Sequence, residues 1–187
     1  MADTKAIVHE TEVRMKQAVE VLERDLRHIR TGRADVGLLD QVRVDYYGQK
    51  MPLHHLATLS TPDPRTIVIA VWDKSMVEEV ARAIAAADLG LNPVRDGDII
   101  KVPIPPLSEE RRQELAKGAG KRGEEAKVIV RNIRRDALEK VRKLQKDSEL
   151  SEDESKRVQA EIQKLTERYS ARLEELVEGK KRELTTL

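Results

Sequence analysis

The sequence of 187 residues contains no cysteine and no phenylalanine, and aromatic residues make up only 2% of it. Without cysteine the chain can form neither a disulfide framework nor a thiolate metal site, which fits a reducing compartment such as the cytoplasm. With so few aromatic rings, the core must be aliphatic. No stretch reaches the roughly 18 apolar residues of a membrane helix, and MADTKAIVHETEV lacks the apolar run of a secretory signal. We therefore expect neither a signal peptide nor a membrane span.

Charge, by contrast, is abundant and unevenly placed. Charged residues make up 37% of the chain, with 35 basic and 34 acidic residues. High charge combined with aliphatic periodicity is typical of long, solvated helices. Residues 107–146 alone hold 13 basic and 7 acidic residues. A locally basic segment of this kind indicates an anionic partner.

Three segments show the apolar steps of three and four that predict amphipathic helices, namely 4–29, 108–146 and 151–184. Gly32 can stop the first helix, Ser108 can cap the second, and Ser151 with Glu154 forms a capping box for the third. The apolar stripes are narrow, as in coiled coils. We therefore predict three long helices packed together.

Between the first two helices the pattern changes to period two. Residues 42–46 alternate as in a strand, and 66–72 reads as a buried strand. Ser75 with Glu78 predicts a capping box for a helix that ends near Asp88, and the Asp-Gly of 95–98 predicts a tight hairpin. The fold class is therefore α+β, with an inserted domain at 31–105 and a helical domain made of 1–30 and 106–187.

The stretch KGAGKRG, residues 117–123, contains the dinucleotide-binding spacing G-x-G-x-x-G at Gly118, Gly120 and Gly123. That fingerprint requires a strand before it and a helix after it. Here a helical pattern precedes the glycines and resumes in the same phase after them. We therefore predict that the glycines lie within, or interrupt, one long helix and bind no nucleotide. Each costs about 1 kcal/mol relative to alanine, and a flexible point is the simplest interpretation.

Other candidate chemistry is scarce. The histidines are His9, His28, His54 and His55. The last two are adjacent, so on a strand they would point to opposite faces and could not bind one metal ion. No Ser/His/Asp arrangement is present, and the acidic residues are spread along helices. We predict surface histidines, no metal site, no cofactor and no enzymatic activity.

The few aromatic residues allow two interpretations. Tyr46 and Tyr47 could stack on bases, but their neighbours are not basic, which favours a role in a turn or in the core of the small domain. Trp72 ends the predicted strand at 66–72 and is interpreted as a core or edge residue.

The basic segment carries the clearest functional signal. At 100° per residue, six cations fall within an arc of roughly 120° opposite the apolar stripe. They are Lys117, Lys121, Lys127, Arg131, Arg135 and Arg142, with Arg134 at the border of the arc. Glu124 and Glu139 interrupt the arc. One interpretation is a solvated face with local ion pairs. The other is a row of phosphate-binding side chains, which the cluster RNIRRD favours.

Five motifs, in order along the chain, carry a resemblance. They are IRTGRA (29–34), YYG (46–48), DLGLNP (88–93), VPIPPLSEERR (102–112) and VRNIRRDA (130–137). Together they closely resemble the ribosome recycling factor family of bacteria and organelles, and the similarity runs along essentially the whole chain. The sequence departs from the family at GAGKRG, which is richer in glycine.

The resemblance implies an L-shaped, tRNA-like outline, in which a long three-helix bundle forms one arm and an inserted β/α/β sandwich the other. It also implies that the bundle binds large-subunit ribosomal RNA after termination, and that elongation factor G with GTP then drives subunit splitting. Arg134 matches a family contact position. We expect a monomeric, non-catalytic translation factor of the cytoplasm with no membrane partner.

Two connecting segments, called here the crossings, join the inserted domain to the helices, one near Arg30–Arg33 and one near Pro103–Pro106. We predict that they form a hinge. The hinge residues would be Arg30, Thr31, Gly32, Arg33, Pro103, Ile104, Pro105 and Pro106. Gly32 can absorb a large backbone rotation, whereas the prolines keep their crossing extended.

Two other functions remain open from the residues alone. The chain could be a helical scaffold or chaperone with a small interaction domain and no RNA partner. It could also be a nucleotide-binding enzyme, against which the setting of the glycines argues.

Overall fold

The computed structural model describes residues 3–186, which form two compact units. One unit consists of the residues up to Arg30 together with those from Glu109 onward, and the other of Thr31–Ser108. The helices are α1 Thr4–Arg27, α2 Val77–Ala86, α3 Glu109–Lys146 and α4 Glu152–Thr185. The strands are β1 Arg43–Tyr46, β2 Gln49–Pro52, β3 Ala57–Asp63, β4 Thr66–Val71, β5 Val94–Asp96 and β6 Ile99–Pro103. The combination of long helices and small antiparallel sheets confirms the predicted α+β class.

The first unit is a bundle of α1, α3 and α4, each of which packs against the other two. Its largest core cluster is aliphatic apart from Tyr169 at its margin. Met15, Val130 and Leu173 are fully buried in it. A second cluster, around Val141 and Ile162, continues the core. None of the helices within 3–186 combines the length and apolarity needed to cross a membrane.

The helix ends agree only partly with the predicted caps. The capping box at Ser151 is confirmed, because both of its hydrogen bonds are present. The Ser151 hydroxyl accepts a hydrogen bond from the Glu154 backbone N–H, and the Glu154 carboxylate accepts one from the Ser151 backbone N–H. The box at Ser75 is wrong. Asp73 is the capping residue instead, and its carboxylate accepts hydrogen bonds from the Ser75 backbone N–H and hydroxyl. It caps a short 3-10 turn that precedes α2. An aspartate two residues upstream is an equally good cap and competes for the same donors. The first helix ends at Arg27, two residues earlier than predicted.

The second unit contains a two-stranded sheet, β1-β2, and a four-stranded antiparallel sheet in the order β3-β4-β6-β5. One aliphatic core joins them to α2, and Val44, Ile69, Ile84 and Ile100 are fully buried in it. The tight hairpin is confirmed between β5 and β6, but its turn lies one residue further on. Asp96 pairs with Ile99, so Gly97 and Asp98 are the central residues. Gly97 has φ +63°, the conformation that favours glycine at the first turn position.

Candidate nucleic-acid interface

Helix α3 carries the predicted basic segment on one uninterrupted helix of 38 residues. Gly118, Gly120 and Gly123 all lie inside it, which confirms the helical prediction for KGAGKRG. Their backbone N–H groups are therefore those of a helix interior and form no phosphate loop. Gly123 is buried against Val177 of α4, while a β-carbon at Gly118 would meet nothing within 4 Å. Close packing thus explains one of the three glycines, and the flexible-point interpretation is not needed for it.

Five of the predicted cations are exposed along α3 and are called here the α3 basic face. They are Lys117, Lys121, Arg131, Arg135 and Arg142. Within residues 3–186, none of the five forms an ion pair or a side-chain hydrogen bond. Some other cations of the bundle are paired: Lys140 binds Glu10 at 3.1 Å and Arg14 binds Asp136 at 3.4 Å. The α3 basic face is thus a row of positive charges that form no ion pairs, although the exposed Glu139 lies among them. Such a row attracts polyanions.

Lys127 was predicted as part of this row, but its surroundings are different. Its side chain is only 22% exposed, and its ammonium group lies 2.8 Å from the Glu174 carboxylate and 3.4 Å from that of Glu124. The hydrogen bond to Glu174 is the main reason that the pKa of Lys127 is raised, against the opposing effect of burial. Lys127 therefore links α3 to α4, and its charge is already compensated.

Arg134 occupies the border of the arc, as its position in the helix predicts. Its side chain is half-buried, and its guanidinium donates to the Gln163 side chain of α4 at 3.3 Å. Its Nε is buried without a partner. Because no carboxylate within residues 3–186 pairs with it, the positive charge of Arg134 stays available at the edge of the α3 basic face.

Sequence reasoning missed two further cations on the same helix. Lys143 and Lys146 are exposed in the last turn of α3 and are not ion-paired within the described part of the chain. The helical spacing that grouped the other cations also places Lys146 four residues after Arg142, on the same side. The periodicity therefore contained this signal. Near a helix C-terminus, lysines also interact favourably with the helix dipole.

The predicted histidines and aromatic residues differ in their exposure. His9, His28, His54 and His55 are all exposed, which confirms their prediction as surface histidines. Tyr47 lies in the turn after β1 with φ +48°, and Tyr46 packs against the core of the small unit, as interpreted. Trp72 lies just past the end of β4 and is 65% exposed, so of its two interpretations the edge position agrees with the structure and the core position is wrong. Among residues 3–186, no group of three or more potential ligands is placed to hold a metal ion.

The two crossings that were predicted to form a hinge are placed as follows. Gly32 is buried and has φ +76°. A β-carbon there would lie 3.2 Å from the Leu107 side chain, so the two crossings touch within the small unit. Pro103 is the last residue of β6. Ile104 is buried, and its backbone N–H donates a hydrogen bond to the backbone carbonyl of Arg65. Pro105 and Pro106 follow as exposed coil.

Comparison with known proteins gives consistent matches over the whole chain. The family model described as Ribosome recycling factor matches residues 22–185. The ribosome-recycling factor of Symbiobacterium thermophilum is 51% identical over 181 residues, covering 97% of this chain and 98% of its own. That of Burkholderia mallei is 50% identical over 187 residues, covering 100% and 99%.

Solved structures agree with this. A solution structure of the ribosome recycling factor is 41% identical, covers 100% of both chains and has a TM-score of 0.75. A second neighbour is described as models for the T. thermophilus ribosome recycling factor and the E. coli elongation factor G bound to the E. coli post-termination complex. Its matching chain is 45% identical with a TM-score of 0.63, and the match covers 98% of this chain and 99% of that one.

Proposed function

The chain belongs to the ribosome recycling factor family, and we propose that in ribosome recycling it binds the post-termination ribosome through the α3 basic face. It is a translation factor and not an enzyme. Binding and mechanical displacement need no catalytic side chain. The GTP chemistry of recycling would be carried out by elongation factor G.

The observation that carries this proposal is the row of exposed cations on α3 that form no ion pairs within the described residues. Arg131 and Arg135 lie one helical turn apart and present guanidinium groups, which bind phosphate oxygens in pairs. Ribosomal RNA presents phosphates in regular arrays. Ribosomal RNA is therefore the partner proposed for this face, with Arg134 contributing at its edge; that this RNA belongs to the large subunit is what the family resemblance implies.

The second partner follows from the relatives. One solved neighbour contains a ribosome recycling factor and elongation factor G on the same post-termination complex. We propose that this chain acts with elongation factor G and GTP to split the ribosome into its subunits. We also propose that it works as a cytoplasmic monomer, since α1, α3 and α4 bury their apolar stripes in one another.

The RNA contact is tested by measuring ribosome affinity as a function of salt concentration for Arg131→Ala and Arg135→Ala. Each lost phosphate contact should lower the slope of log affinity against log salt by somewhat under one unit. Lys140→Ala is the matched control, because Lys140 lies on the same helix but is paired with Glu10.

The outcome separates this function from that of a helical scaffold without RNA. If both arginine variants bind ribosomes as the wild type does at every salt concentration, the α3 basic face is only solvated surface. Retention of the wild type on ribosomes at low salt and its loss at high salt would support RNA binding.

A further inference from the structure

Two polar contacts between α3 and α4 leave the cation of α3 in opposite states. Lys127 meets the carboxylate of Glu174 at 2.8 Å, and its charge is compensated there. Arg134, about two turns further along α3, donates from its Nη1 to the side-chain carbonyl of Gln163 at 3.3 Å. An amide accepts a hydrogen bond as a carboxylate does, but it carries no net charge. The contact with Gln163 therefore holds the guanidinium and leaves its positive charge in place.

The amide of Gln163 is itself held by a residue of its own helix. Its Nε2 donates to the carboxylate of Glu167 at 3.1 Å, four residues later on the same side of α4. A glutamine amide has one donor end and one acceptor end. Because Glu167 takes the donor end, the acceptor end is directed toward Arg134. Both Gln163 and Glu167 are exposed, so these hydrogen bonds contribute little to the stability of the bundle.

The surroundings of Arg134 also decide which of its donors can meet a partner. Its Nη1 is bonded to Gln163, and its Nε is buried without an acceptor among residues 3–186. The donors left for a phosphate are therefore those of Nη2 and the second N–H of Nη1. A guanidinium that is already restrained loses less conformational freedom on binding than a free one. The contact with Gln163 thus prepares the arginine for a phosphate.

We propose that Gln163 is a positioning residue for RNA binding, which restrains the Arg134 guanidinium at the edge of the α3 basic face without neutralising it. The proposal rests on the proposed function, in which that face and Arg134 bind ribosomal RNA. A carboxylate at this position would also restrain the arginine, but it would compete with the phosphate for the charge. An apolar side chain would leave the charge free and the guanidinium unrestrained. A neutral acceptor is the side chain that supplies restraint and keeps the charge.

The test compares two substitutions of Gln163 in the full chain. Gln163→Met keeps the length of the side chain and removes the acceptor, whereas Gln163→Glu keeps the acceptor and adds a negative charge. Gln159→Met is the matched control, because Gln159 lies one turn earlier on α4 and its amide donates to Ser155 of the same helix at 2.9 Å. Gln163→Met is also combined with Arg134→Ala. Urea unfolding establishes that each variant is folded, and Gln163→Glu carries the test if Gln163→Met is not.

The affinity of each protein for post-termination ribosomes is measured over a range of salt concentrations. Gln163→Met should weaken binding about three- to tenfold, as expected for two coupled residues in contact. In the Arg134→Ala background it should have no further effect, because the side chain that it positions is gone. Gln163→Glu should weaken binding at least as much and lower the salt slope by somewhat under one unit, since a paired Arg134 no longer neutralises a phosphate. Gln159→Met should match the wild type.

The other outcomes overturn the proposal in distinguishable ways. If Arg134→Ala weakens binding but Gln163→Met or Gln163→Glu binds as the wild type does, Gln163 does not position the arginine. If Gln163→Met weakens binding equally with and without Arg134, Gln163 acts on the ribosome or on the fold directly. If Arg134→Ala itself binds as the wild type does at every salt concentration, the proposed role of Arg134 in RNA binding is wrong and this inference is lost with it.

Discussion

Gly123 of α3 lies directly against Val177 of α4, with no space between them for a methyl group. A β-carbon built on Gly123 would overlap the Val177 Cγ2 atom, and both residues are buried. The two longest helices of the bundle therefore approach each other closely at Gly123. Gly123 allows this approach, whereas Gly118 has open space where a side chain would be.

Alanine substitutions at these glycines should have opposite effects on stability. Gly123→Ala should lower the free energy of unfolding by about 1–3 kcal/mol, since the added methyl group overpacks the α3–α4 contact. Gly118→Ala should raise it by about 1 kcal/mol, because the site is helical and unobstructed. Urea unfolding of both variants beside the wild type measures the two changes.

Gly120→Ala serves as an intermediate control. Its β-carbon would lie 3.5 Å from the end of the Lys181 side chain, which is an ordinary contact. We expect a gain of several tenths of a kcal/mol to 1 kcal/mol. If Gly118→Ala and Gly120→Ala were both destabilising, α3 would not be a regular helix at this point. Saturable ATP or NAD binding to the isolated protein would show that the stretch is a nucleotide site after all.

Lys127 and Arg131 lie one turn apart on α3, yet they should respond differently to mutation. Lys127→Ala should cost about 0.5–1 kcal/mol of unfolding free energy, since it removes the link to Glu174. It should leave the salt dependence of ribosome binding nearly unchanged. Arg131→Ala should show the reverse pattern, and equal salt slopes for the two variants would contradict the division of roles.

The capping box of α4 should make stability depend on pH in acid. Hydrogen bonds from the Ser151 backbone and hydroxyl hold the pKa of Glu154 below its ordinary value. A lowered folded-state pKa stabilises the fold above the unfolded-state pKa, and this contribution is lost as pH falls through the folded-state value. The stability advantage of the wild type over Glu154→Ala should therefore be constant near neutrality and shrink below about pH 4.5.

That advantage is measured by urea unfolding of both proteins between pH 7 and pH 3. Glu152→Ala is a suitable control, because Glu152 pairs with Lys156 and takes no part in the box. A difference that stays the same across the whole range would mean that the Glu154 charge does not stabilise the helix start.

The proposed hinge gives a kinetic prediction. Gly32→Pro should slow subunit splitting, because proline fixes φ near −65° whereas Gly32 has φ +76°. Changing both Pro105 and Pro106 to glycine should also slow splitting by loosening the second crossing. Ribosome affinity should change little in either case, since the α3 basic face is untouched. Wild-type splitting rates in both variants would mean that these crossings are only connectors.

Local sequence patterns predicted the features that depend on residues close together along the chain, such as helices and their caps. The steps of three and four in α3 continue through the glycines, so helicity could be predicted there without any knowledge of α4. The Ser151 box could be predicted because it is closed within four residues. At Ser75 the same pattern was misleading, because Asp73 competes for the same donors.

The sequence could not predict features that depend on contacts between residues far apart along the chain, such as ion pairs between helices. A helical projection places Lys127 with the other cations, but only the packed bundle brings Glu174 within 2.8 Å of it. Likewise, the pattern identifies 66–72 as a strand but cannot tell which side of the sheet stays open, so it left a core and an edge position both open for Trp72. Both outcomes depend on tertiary packing, which local periodicity does not encode.

The most direct test of the account is a subunit-splitting assay on post-termination ribosomes with elongation factor G and GTP. It compares the wild type, the double variant Arg131→Ala with Arg135→Ala, and Lys140→Ala. The account predicts rapid splitting by the wild type and by Lys140→Ala, no splitting without GTP, and a clear loss of splitting by the double variant at physiological salt. No splitting by the wild type under any of these conditions, or equal splitting by the double variant, would contradict it.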